Sequence, residues 1–142
     1  METIRHNDRI IAMVLRADES FPGTVFFTPP EFSQQLGFII HSGGHHIQPH
    51  THNKVKREVV STQEVLIIRK GKVRVFLYTD DRCFLSELVL KSGDIILLAS
   101  GGHGLEIMED AEMIEVKQGP YVDEMVDKNR FEWPRKDGSD RG

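Results

Sequence analysis

The chain has 142 residues, the span of one domain around a single core, and its 39% hydrophobic and 28% charged content is that of a globular protein, not a disordered one. The net charge of −4 arises from interspersed acids and bases, which excludes the continuous basic stripe that nucleic-acid binding requires. The longest apolar runs are about five residues against the ~20 that cross a bilayer, so no membrane partner is expected. A lone cysteine, Cys83, and an N-terminus without an apolar signal core point to the cytoplasm.

Short stretches rich in Val, Ile, Leu and Phe recur between turn residues, the pattern of an all-β barrel or sandwich. In chain order they predict strands over residues 10–15, 25–28, 37–41, 50–52, 59–69, 72–79, 84–90, 95–98, 103–108 and 112–117. Pro22-Gly23 and Pro29-Pro30 break the N-terminal third into loop, with one turn of helix near residues 31–35. Lys70-Gly71 reads as a turn between two strands, Thr79 to Arg82 as a hairpin loop, and Lys91-Ser92-Gly93-Asp94 as a tight reversal. Alternation puts Val73, Val75 and Leu77 on the inward face of their strand and Arg74, Phe76 and Tyr78 on the other. One domain is expected over residues 1–120, with its core in 36–118. A tail over 121–142 is expected to form a short helix and then a disordered polar end from residue 134.

The segment from Gly44 to His52 carries the chemistry. His50 and His52, at i and i+2, project to one face of a strand and can grip one ion. Glu64 opens a later strand and His103 follows the turn Ser100-Gly101-Gly102, so three imidazoles and a carboxylate are on offer. His41, His45 and His46 read as structural or pocket-rim residues, Arg57 and Arg69 as solvated positions, and Cys83 as inert packing.

Gly44, His50, His52, Glu64 and Gly71 resemble the first motif of the cupin superfamily: Gly, five residues, His-x-His, a gap, Glu, six residues, Gly. Gly93, Gly101 and His103 resemble the second motif, and the similarity spans about residues 36–118. Two departures stand out: eleven residues separate His52 from Glu64 where the family has three or four, and Ala99 stands where Pro is usual. The longer gap leaves Glu58 as an alternative carboxylate.

The resemblance implies a cupin double-stranded β-helix, a jelly-roll-like barrel. It also implies a divalent transition metal, Fe, Mn, Ni or Zn, held by His50, His52, Glu64 and His103. Such a donor set suits these ions better than Mg or Ca, which prefer oxygen shells. A second, shorter similarity, from Ile114 to Tyr121 and on to Asp127, Arg130 and Phe131, is to the close of the cupin domain of bacterial sugar-1-phosphate nucleotidyltransferases. It favours a saccharide among small polar ligands and a setting in polysaccharide biosynthesis.

The expected function is thus a metal-binding protein acting on a small metabolite, with Glu58, Tyr78 and Glu106 as candidate acids or bases. Two alternatives stand beside it: a non-catalytic metal or sugar sensor, and a metal-independent sugar epimerase or isomerase with His52 or His103 as base. A homodimer is expected, with strands such as 10–15 pairing across a two-fold axis.

Overall fold

A computed structural model describes residues 1–121, 123 and 127–133. Its eight strands are β1 (Glu2–His6), β2 (Arg9–Leu15), β3 (Thr24–Phe26), β4 (Gly37–Ile39), β5 (Glu64–Tyr78), β6 (Phe84–Lys91), β7 (Ile95–Leu98) and β8 (Gly102–Lys117). Six of them build one antiparallel sheet in the order β1-β2-β7-β5-β6, with β8 also beside β5, while β3 and β4 form a separate two-stranded sheet.

The backbone of the sheet is the long pair β5 and β8, in register from Glu64↔Lys117 to Tyr78↔Gly102. On its other edge β5 is shared: Glu64 to Ile67 pair with β7, and Lys72 to Tyr78 pair with β6. The Lys70-Gly71 turn expected between two strands is absent, and so is the break between 103–108 and 112–117. Each expected pair of strands is instead one long bent strand, because each lies along the other for its whole length. The bend sits where the β5–β8 register shifts, between Ile68 and Val73, with Gly71 at φ +80° against the backbone of Asp110. The bulge also switches the inward face. Glu64, Leu66 and Ile68 are buried before it and Val73, Val75 and Leu77 after it, so even-numbered positions hand over to odd ones.

The main core joins Leu66, Ile68, Val73, Val75 and Leu77 to Ile11, Ala12, Val14, Leu90, Ile96 and Leu98. A second cluster, of Ile10, Met13, Leu97 and Ala99 with Phe27, Phe32 and Leu36 against it, covers another side of β2 and β7. Burial from two sides explains why these two strands read as unbroken apolar runs. Phe76 and Tyr78, expected on the outer face, are buried as well, because Trp133 and Phe131 stand edge-on to their rings at 4.9 Å each.

Three further expectations are corrected. Residues 10–15 lie in β2, whose two edges are taken by β1 and β7, so that strand has no free edge to pair across a two-fold axis. Residues 50–52 form no strand; they lie in the exposed segment 40–62, which pairs with no strand of the sheet. Residues 31–35 turn without forming a helix, the Gln35 side chain donating to the carbonyls of Pro29 (2.9 Å) and Phe32 (3.0 Å). The expected tail helix and disordered end fall partly or wholly outside the described residues.

Candidate functional site

Glu64 and His103 come together by curvature. In the β5–β8 ladder His103 sits opposite Leu77, thirteen residues along β5 from Glu64. A straight strand would place those positions about 43 Å apart at ~3.3 Å per residue. Instead, His103 Nε2 and Glu64 Oε2 are 3.0 Å apart, so the sheet has curled until the start of β8 meets the start of β5. The short route is through β7: Leu98 is the ladder partner of Glu64, and the turn through Ser100 and Gly101 carries the chain directly to His103. Gly101, at φ +70°, lets this turn pass against the carbonyl of Tyr78.

The pair lies in the wall of a cavity of ≈400 Å³, together with Leu98 and Leu105 and, from the C-terminal segment, Lys128, Arg130 and Phe131. Glu64 is buried, at 7% exposure, and His103 is partly open to the cavity. The hydrogen bond from His103 holds the Glu64 carboxyl below the usual carboxylate range. Burial opposes this, and electrostatic attraction by His103, Lys128 and Lys117 adds to it. Lys117, on the same alternation of β8 as His103, approaches Glu64 at 3.9 Å, Glu115 at 3.4 Å and Asp127 at 3.5 Å. Burial works against its charge, but these carboxylates prevail and raise its pKa. The Thr62 hydroxyl donates to Asp127 at 3.2 Å, which ties the C-terminal segment to the mouth of the cavity. A neighbouring cavity of ≈690 Å³ shares Thr62, Ser100 and Gly101 and contains the ion pair of Arg9 with Asp80.

Of the four residues expected to share a metal, the structure unites Glu64 and His103 and leaves His50 and His52 elsewhere. Those two rings stand 5.2 Å apart in the exposed 40–62 segment, with His50 Nδ1 3.0 Å from the Gln48 carbonyl. Among the described residues no group of three or more His, Cys, Asp or Glu side chains is placed to hold a metal ion. Two adjacent donors are fewer than the three that a catalytic zinc site takes from its protein, so this arrangement alone does not fit a metal and no step below runs through one.

The other candidates also lie apart from the pair. Glu58 is exposed in the same segment as His50. Glu106 is ion-paired to Arg74 at 3.0 Å. Tyr78, its phenol pushed up by burial, packs against Phe84 and Phe131. His41 and His45 stack at 4.0 Å on the surface, and Cys83 is exposed. Sequence reasoning missed Thr62 and Lys128, and named Lys117 and Asp127 only within the similarity of the C-terminal end, without a role at the site. For Lys117 a further signal existed, since strand alternation from His103 puts residue 117 on the same face. The approach of the others depends on where the C-terminal segment folds back.

No helix among the described residues is long and apolar enough to cross a membrane. Comparisons with protein-family models, curated proteins and solved structures gave no match, so the assignment of function rests on this chain's own residues.

Proposed function

We propose that this protein is a small cupin-like barrel that binds a small polar metabolite, a saccharide or sugar nucleotide by preference, and moves a proton on it with His103 as the base. The observation that carries this reading is the 3.0 Å contact between Glu64 and His103 in a cavity wall, made by residues 39 positions apart in the chain. A carboxylate that accepts from Nε2–H fixes the tautomer, leaves the Nδ1 lone pair to take the ligand's proton, and stabilises the imidazolium that results. Lys128 and Arg130 in the same wall complement hydroxyl or phosphate oxygens. Leu98 and Leu105 exclude water from one side.

A divalent Fe, Mn, Ni or Zn ion held by His50, His52, Glu64 and His103 is the competing reading. It is supported by the meeting of two of these donor types and by the closeness of the two rings in the 40–62 segment. If bound, such an ion would supply Lewis acidity toward a ligand oxygen.

The test is hydrogen exchange at ligand carbon in D2O, followed by NMR over a panel of monosaccharides and nucleotide sugars, beside elemental analysis of the purified protein. Exchange that is present in the native chain and lost in His103→Gln supports the proton-transfer reading. Stoichiometric metal that disappears in His50→Ala replaces it with the metal reading. Ligand binding without exchange in either state makes the protein a sensor.

A further inference from the structure

Two stretches of this chain lack a strand partner, one along its outer edge and the other on both sides. The first is the outer edge of β8: among the described residues this sixteen-residue strand hydrogen-bonds only to β5. Its outward alternation mixes exposed apolar side chains, Met108, Ile114 and Val116 at 40%, 44% and 50%, with carboxylates at Glu106, Asp110 and Glu112. A long, apolar, unpaired edge is what soluble proteins ordinarily cover, twist away or charge. The second stretch is Lys54-Val-Lys-Arg-Glu-Val-Val60. With three valines in seven residues it has the β-branched content of a strand, yet it forms none, and Val55, Val59 and Val60 are exposed at 59%, 47% and 86%. Lys54, Lys56 and Arg57 have no ionic partner among the described residues, and neither do Asp110 and Glu112.

We propose that the protein is an isologous homodimer in which residues 54–60 of each copy add as a strand to the outer edge of β8 of the other. Charge selects this arrangement. The segment carries three cations and one anion, whereas β8 between Glu106 and Glu115 carries five carboxylates and no cation. Pairing β8 with β8 of a second copy would oppose acid to acid, which is destabilising for directly facing residues. Pairing the segment with β8 opposes unlike charges, satisfies both backbones and covers both sets of valines and isoleucines. The segment's own β8 is less suited, because the chain leaves residue 60 directly into Thr62 and Gln63. Gln63 is held there by its amide to Gln118 Oε1 (2.6 Å) and by the Ser33 hydroxyl to its Oε1 (3.1 Å).

The test is a charge swap read by sedimentation velocity across a wide concentration range. One variant carries Lys54→Glu, Lys56→Glu and Arg57→Glu; the other carries Asp110→Lys and Glu112→Lys. All five positions are exposed, and circular dichroism with thermal unfolding verifies that each variant keeps its fold. The native chain is expected to be a dimer that salt weakens, and each variant alone to dissociate about 100-fold more readily through like-charge contact. An equimolar mixture of the two should restore a heterodimer: Glu106, Glu109 and Glu115 are paired within the chain to Arg74, Lys72 and Lys117, so the exchanged charges at 110 and 112 set the interface and both interfaces then pair unlike charges. A native chain that stays monomeric, variants that dimerise like the native chain, or a mixture that fails to associate would each overturn the proposal.

Discussion

Asp94 is the most informative residue for stability, because its side chain is fully buried and both its oxygens accept hydrogen bonds within one loop junction. It accepts from the Ala17 amide at 2.9 Å, the Lys91 amide at 3.0 Å and the Arg16 guanidinium at 3.0 Å, joining the end of β2 to the β6–β7 turn. Replacing it with Ala removes all three at once. Arg16 is 29% exposed and keeps Glu2 at 3.3 Å, so it can turn to water at little cost. The two amides are the costly groups, at ~1–3 kcal/mol for each donor left without an acceptor. The expected loss is about 3 kcal/mol, or a fall in Tm of roughly 10 °C for a domain of this size. Asp94→Asn should lose about 2 kcal/mol, since one carbonyl oxygen can still accept while its NH2 faces a donor.

The pH dependence follows with a definite sign. Burial by itself would raise the Asp94 pKa, but the amides of Lys91 and Ala17 and the charge of Arg16 outweigh it and hold the group below its ordinary value. A depressed folded-state pKa stabilises fully above the unfolded value of about 3.9 and loses that contribution as pH falls through the folded one. Urea unfolding of the native chain and of Asp94→Asn should therefore differ by a constant amount from neutral pH to about pH 5, and the gap should close below about pH 4. An Asp94→Ala variant within about 1 kcal/mol of native, or a gap indifferent to acid, would refute the reasoning.

Leu77→Ala, at a position of 0% exposure opposite His103 in the ladder, should cost about 2–4 kcal/mol in urea unfolding by leaving a cavity in the main core. Gly71→Ala should cost at least about 1 kcal/mol, because the residue sits at φ +80° with the Asp110 backbone where a Cβ would be; near-neutrality would mean the bulge does not form. Gly104→Val should drive Trp133 from its seat, since even a Cβ at residue 104 would meet the indole at 3.1 Å. The expected readout is a red-shifted tryptophan emission, and an unchanged spectrum would mean the C-terminal segment does not rest there.

Much of the sheet was legible because its signals are local. Residues 95–98 and 84–90 read as strands from apolar content and flanking turns, and the inward set Val73, Val75 and Leu77 from alternation alone. The long strands were misread at Gly71 because a glycine between two β-patterned runs looks the same whether it turns the chain or bends it. Only the presence of β8 along the whole of β5 decides for the bend. The same limit applies to the site. Residue type marked Glu64 and His103, and curvature brought them to 3.0 Å; for His50 and His52 the residue types were equally suggestive, yet their segment pairs with no strand of the sheet and nothing draws them in.

By itself the sequence determined the all-β class, the inward alternation and the residue types that chemistry needs, since each follows from neighbours in the chain. Tertiary structure decided which of those residues meet, that the outer edge of β8 is left open, and that residues 127–131 line the cavity. Those outcomes depend on how far one bulged ladder curls, a property of two strands paired over their full length that neither strand carries alone.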